Sequence, residues 1–149
     1  MRQIDYMLGG ESFQHMLAAH LMQGNVYYHP ATATGDKLAT AMTMGGFGSV
    51  PIVDRANKLI GIVSEFDLLK AIMGGLTLSE ITAKDIMTER PVSVFDYTTF
   101  EEVIELLQEK HLIHVPVVDK DGQLLGIVSR TDILHAYLKS KESPPPWWA

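Results

Sequence analysis

An internal duplication constrains this chain more than any other feature. Residues 50–72 align without a gap on residues 115–137, and 12 of the 23 positions are identical. The identities include Val50-Pro51, Val53-Asp54, Leu59, the block Gly61-Ile62-Val63-Ser64, Asp67, Leu69 and Ala71. The same offset of 65 residues pairs Met22 with Met87 and Thr34 with Thr99. Self-similarity at one fixed offset means one supersecondary unit used twice. Neither copy alone buries enough apolar area to be stable, so the pair is expected to fold as one.

Local patterns then specify each copy. Ser12 is expected to cap a helix carrying Phe13, Met16, Leu17 and Leu21 at helical spacing, with Gly24 as its stop. Val26-Tyr27-Tyr28 reads as a short extended piece ended by Pro30. A helix after Thr34 carries Leu38, Ala41 and Met42 and closes at Gly45-Gly46. Ser49 to Asp54 and Lys58 to Val63 read as strands around the turn Arg55-Ala56-Asn57, and Ser64 opens a helix ended by Gly74-Gly75. In the second copy, Thr82 and Asp85 cap a short helix, and Pro91 to Val94 is extended. Thr99-Phe100-Glu101-Glu102 is a capping box for a helix with Val103, Ile104 and Leu107 on one face. Strands Ile113 to Val118 and Gln123 to Val128 flank Asp119-Lys120-Asp121-Gly122, and a last helix runs from Arg130 to about Lys141. Its stripe of Ile133, Leu134, Tyr137 and Leu138 is wide enough to touch the sheet and something beyond it.

The expected fold class is α/β (α+β), as two β-α-β-β-α units about a pseudo-twofold axis. A lead-in over 1–14 precedes the copies at 15–76 and 77–140, and a Pro/Trp-rich tail covers 141–149. That tail, Pro144-Pro145-Pro146-Trp147-Trp148-Ala149, is expected not to form a helix and reads either as a disordered end or as a docking segment.

Charge and composition exclude several functions. A net charge of −6 argues against bulk electrostatic binding to nucleic acid or to an anionic membrane. Without cysteine there is no disulfide, thiolate nucleophile or Cys-based zinc site. No apolar run reaches membrane-spanning length and the start lacks a secretory signal, so a cytoplasmic protein is expected. His111 and His114 have no third ligand at useful spacing, so no metal is expected. No nucleophile-elbow pattern accompanies the Ser, His and Asp residues, and an enzyme is not expected.

Val50-Pro51-Ile52-Val53-Asp54 followed by Gly61-Ile62-Val63-Ser64-Glu65-Phe66-Asp67 resembles a CBS domain, the repeat named after cystathionine β-synthase. Val115-Pro116-Val117-Val118-Asp119 with Gly126-Ile127-Val128-Ser129-Arg130-Thr131-Asp132 is similar, as is the lead-in Asp85-Ile86-Met87-Thr88. Two motifs in register resemble a Bateman module, and the likeness covers residues 15–140. It implies a stand-alone, non-enzymatic regulatory protein without a cofactor. Such a module binds AMP, ADP, ATP or S-adenosylmethionine in the cleft between repeats and signals to an unidentified protein partner, usually as a homodimer.

In the second copy the resemblance assigns Asp132 to the ribose hydroxyls and Ser129, with Arg130 and Thr131, to the ribose or first phosphate. It lays adenine against Pro91, Val92, Leu112, Ile113 and His114. The matching first-copy positions are Asp67, Ser64, Val26, Tyr27, Phe47, Gly48 and Ser49. A carboxylate accepts both donors of a vicinal diol, and a helix start presents N–H groups to phosphate. Arg130 beside Ser129, against Glu65 beside Ser64, favours the second site if only one takes a phosphorylated ligand. Two readings compete with this. Ser-x-x-Asp is also a helix capping box, and the chain could be a structural interaction module with degenerate sites.

Overall fold

The computed structural model describes residues 13–141. In chain order the elements are α1 (Ala18–Leu21), β1 (His29–Pro30), α2 (Gly35–Gly45), β2 (Ser49–Val53), β3 (Leu59–Ser64) and α3 (Glu65–Met73). A 3₁₀ turn at Leu78–Glu80 leads to α4 (Ala83–Ile86), β4 (Thr88–Glu89), β5 (Val94–Phe95), α5 (Phe100–Glu109), β6 (His114–Val118), β7 (Leu124–Ser129) and α6 (Arg130–Ser140). The mixed α/β class is as expected, but each copy opens on a short helix before its first strand.

Two compact units form, and they are not coextensive with the two sequence copies. Among the described residues, a first-copy unit holds 25–92 and 118–124, while a second-copy unit holds 13–24, 93–117 and 125–141. Each copy's opening segment therefore belongs to the unit built mainly from the other copy.

In the first-copy unit the sheet order is β1-β2-β3-β4. Strand β1 runs parallel to β2 with His29 opposite Ile52. Strands β2 and β3 form a hairpin with Val50 opposite Val63, and β4 adds antiparallel with Thr88 opposite Ile62. All five residues of β2 are buried, which is why they read as a continuous apolar run rather than an alternating one. The hairpin is closed by Asp54, whose Oδ1 accepts from the amides of Ala56 and Lys58 at 2.9 Å each. Asn57 takes the left-handed conformation there, φ 64°. Ala33, Leu38, Met42, Val50, Ile52, Val63, Leu68 and Ala83 make the core.

The second copy repeats the scheme in its own residues. Its sheet order is β5-β6-β7. Asp119 Oδ1 accepts from Asp121 N and Gln123 N at 2.9 Å each, closing the matching turn with Gly122 at φ 84°. The aspartate of each Val-Pro-x-Val-Asp run is thus a turn former. The core joins Ala18 and Leu21 of the opening segment to Val103, Leu107, Val115, Val117, Val128 and Ile133.

Of the helix expected from Ser12, the described residues show Phe13 helical, then a break, then α1, four residues long. Leu17 bridges Thr99 instead, and the amides of Ala18 and Ala19 donate to Thr98 O at 2.7 Å and Asp96 O at 2.9 Å. These long-range bonds hold Leu17 extended against the propensity for helix, and Ser12 itself lies outside the described residues. On α6 only Ile133 of the expected stripe is buried, whereas Leu134 and Leu138 are each 64% exposed. The Pro/Trp tail also lies outside the described residues. Among those described, no helix is long and apolar enough to cross a membrane.

The glycine of each Gly-Ile-Val-Ser block sits where an opening segment crosses the strand. A Cβ on Gly61 would meet the Met87 side chain. One on Gly126 would lie 2.6 Å from the Gln23 carbonyl oxygen and 2.7 Å from Met22 Sδ. Glycine inside a strand marks such a close approach.

Candidate functional site

The two strand-to-helix junctions, β3 into α3 and β7 into α6, have the same internal geometry. Ser64 Oγ accepts from Asp67 N at 3.3 Å while Asp67 Oδ2 accepts from Ser64 N at 2.8 Å. Ser129 and Asp132 repeat the pair at 3.0 and 2.8 Å. Both motifs are therefore complete capping boxes. Capping uses only one carboxylate oxygen of each aspartate.

What remains differs between the junctions. Among the described residues, Asp67 Oδ1 has no hydrogen-bond partner, so its two lone-pair sites are unengaged. Asp132 Oδ1 accepts from Gln23 Nε2 at 3.0 Å. Both aspartates are half-buried at the surface, reachable by a ligand yet held by their helix starts.

The expected wall residues reach the junctions through the first helical amide. Glu65 N donates to Gly48 O at 3.2 Å, and Arg130 N donates to Ile113 O at 2.9 Å. This brings Phe47, Gly48 and Ser49 to Asp67, and Leu112, Ile113 and His114 to Asp132. Ser49 lies opposite Ser64 in the hairpin register. Tyr27 joins them, its ring 5.2 Å from that of Phe47 and 59% exposed, with Val26 half-buried beside it. The first junction thus has an exposed aromatic face where the second has Leu112 and Ile113. Pro91 and Val92, expected beside Asp132, belong to the first-copy unit, where they follow β4.

These bonds change the electrostatic expectation. With the first and third helical amides and the cap amide all engaged, each helix start keeps one unengaged amide, at Phe66 or Thr131, rather than an open cluster. Arg130 lines an open hollow of about 500 Å³ between α5 and α6, together with Leu112, Ile104, His111 and Leu134. Thr131 is exposed. Among the described residues, no group of three or more His, Cys, Asp or Glu is placed to hold a metal ion.

Gln23 was not singled out from the sequence. The offset that pairs Met22 with Met87 places it at the position of Thr88. Its contact with Asp132 follows from the exchange of opening segments, which an alignment of the copies does not contain.

Comparison with known proteins matches these features. The CBS domain family model fits residues 18–74 and 83–139. An uncharacterized protein of Methanopyrus kandleri is 36% identical over 104 residues, covering 69% of this chain and 53% of that one. A homoserine O-acetyltransferase of Methanococcus vannielii is 26% identical over 131 residues, 88% of this chain but 26% of the enzyme. The chain thus spans about half the length of the first relative and a quarter of the second. The structure of a Pyrobaculum aerophilum CBS domain protein complexed with AMP superposes with a TM-score of 0.71 at 26% identity. It covers 83% of this chain and 99% of that one. With both copies matched by the family model and both junctions built alike, the chain belongs to the CBS domain family as a tandem pair.

Proposed function

We propose that this CBS pair is a non-enzymatic regulatory module that binds an adenosine-containing ligand, AMP foremost, at its strand-to-helix junctions. The observation that carries the reading is Asp67, half-buried and fixed by its capping box, with Oδ1 unengaged among the described residues. A vicinal ribose diol donates two hydrogen bonds, and one such oxygen offers two acceptor sites. Tyr27, Phe47, Gly48 and Ser49 supply an apolar and aromatic wall for adenine, and Ser64 lies nearest the ribose or first phosphate. In the second copy Asp132, Ser129, Arg130 and Thr131 take the corresponding roles, with Leu112, Ile113 and His114 as wall. The AMP complex of the Pyrobaculum relative supports the ligand class.

Thermal shifts against AMP, ADP, ATP and S-adenosylmethionine test the reading. A ligand at 100 times its dissociation constant adds about 2.7 kcal/mol to stability. That is a rise of roughly 5–10 °C at this size. Asp67→Ala should reduce the shift, and an unchanged shift removes Asp67 from the site.

A second reading, a structural interaction module with degenerate sites, is favoured by one observation. Both capping boxes are complete, and Asp132 has both oxygens engaged without any ligand. A flat panel at millimolar ligand selects that reading.

The proposal includes a homodimer. Leu69, Ile72 and Met73 on α3 and the matching Leu134, Tyr137 and Leu138 on α6 are 44–85% exposed. A second copy covers an apolar face that the duplication presents twice. It also includes a protein partner that reads ligand occupancy through differential affinity for two states, in a cytoplasmic setting consistent with the cysteine-free composition.

A further inference from the structure

We propose that Gln23 is an internal competitor for the second carboxylate. The Ser64/Asp67 junction is then the primary nucleotide receptor, and the Ser129/Asp132 junction seats both hydroxyls of a ribose diol on Oδ1 only by displacing the Gln23 amide. This rests on the reading of both junctions as nucleotide sites.

Three observations carry it. The first is the engagement of Asp132. Its Oδ2 accepts from Ser129 N and its Oδ1 from Gln23 Nε2, so a diol finds one open position on Oδ1 instead of two. The second is the anchoring of Gln23. Gln23 N donates to Ile127 O at 2.9 Å, and Ile127 N donates to Gln23 O at 3.1 Å. The main chain is thereby fixed across β7, and the side chain is presented to Asp132 rather than arriving there by chance. The third is the contrast at the symmetric position. Thr88 pairs with Ile62 as Gln23 pairs with Ile127, yet among the described residues Thr88 has no hydrogen bond to Asp67. A threonine is two bonds shorter and has no amide to offer.

The aromatic face agrees in direction, since Tyr27 and Phe47 stand at the first junction. Arg130, the residue that favoured the second site from sequence alone, lines the hollow between α5 and α6. The geometry therefore reverses the preference that the local charges implied. Gln23 is exposed, so its displacement by a ribose hydroxyl exchanges one hydrogen bond for another and lowers affinity rather than abolishing it. The net worth of such a bond corresponds to roughly threefold to tenfold in a dissociation constant.

Calorimetric titration of the full chain with AMP tests this. Asp67→Ala isolates the second junction and Asp132→Ala isolates the first. In the Asp67→Ala background, Gln23→Ala should tighten AMP roughly threefold to tenfold. Gln23→Met keeps the side-chain length, removes the donor, and should give a gain in the same direction. In the Asp132→Ala background, Thr88→Gln transplants the competing amide and should weaken AMP by a similar factor, while Thr88→Ala should leave it unchanged. Unchanged or weaker binding on loss of the Gln23 amide, while wild type binds AMP, overturns the competitor role and leaves the nucleotide reading standing. Absence of AMP binding to wild type at millimolar concentration overturns both.

Discussion

Replacing the two symmetric glycines by alanine tests how the opening segments cross the sheets. At Gly126 the added methyl meets the Gln23 carbonyl oxygen at 2.6 Å and Met22 Sδ at 2.7 Å. The sulfur belongs to a flexible side chain that can turn away. The carbonyl cannot, because it accepts from Ile127 N at 3.1 Å while Gln23 N donates back at 2.9 Å. Relief requires the segment to lift and both bonds to lengthen. Overpacking of this kind costs about 1–3 kcal/mol, with about 1 kcal/mol more for a weakened hydrogen bond. Removing a glycine from the unfolded chain returns about 0.4–1 kcal/mol. The net loss is about 2 kcal/mol, a fall in Tm of roughly 4–8 °C at this length. At Gly61 the neighbouring atoms all belong to the Met87 side chain, so the clash and the unfolded-state gain nearly cancel. Gly61→Ala should leave Tm within about 2 °C of wild type. Differential scanning calorimetry on both variants decides. A loss at Gly61 as large as at Gly126, or none at either, would refute the crossing geometry.

The remaining expectations concern stability. His29 Nε2 is buried without a partner among the described residues, and burial, then the nearby Lys37 charge, lowers its pKa from 6.5. The neutral imidazole is the form the fold holds, so this contribution is complete above pH 6.5 and is lost as pH falls through the lowered value. His29→Val, matching Val94 in the other copy, should flatten that acid limb in urea midpoints measured from pH 7.5 to 5; an unchanged slope would exclude His29 as its source. Asp119→Ala removes the acceptor of two turn amides and should lose about 1–2 kcal/mol in urea denaturation, as should Asp54→Ala. A neutral result would mean that the turn conformation holds without its carboxylate. Thr99→Ala breaks the capping box of α5 and should lower stability by about 1 kcal/mol, with Thr99→Ser restoring most of it.

Much of the fold was legible because its signals are local. The hairpins follow from Val-Pro-x-Val-Asp and its turn, and α2, α3, α5 and α6 begin where cap residues stand. The adjacency of the Ser-x-x-Asp pairs to their strand neighbours was likewise legible, since register brings Gly48 to Glu65 and Ile113 to Arg130. The placement of residues 17–23 and 82–89 was not legible, for a physical reason. A self-alignment says which residues correspond but not which copy they pack on. A four-residue helix has no intrinsic stability to report its position, and it takes its place from long-range burial such as that of Ala18 and Ala83, both fully buried. One signal was available. A glycine inside each β-branched strand announces that a backbone or side chain passes close by, and Met22 and Met87, already paired by the repeat, are the residues that pass. From that crossing the asymmetry of the two junctions follows. The residue after each methionine lies on the outer edge of the strand leading into the aspartate, as Gln23 in one unit and Thr88 in the other. Local charge, Arg130 against Glu65, compares neighbours along the chain. Acceptor availability depends on what crosses the strand, and at these junctions it distinguishes the copies in the opposite sense.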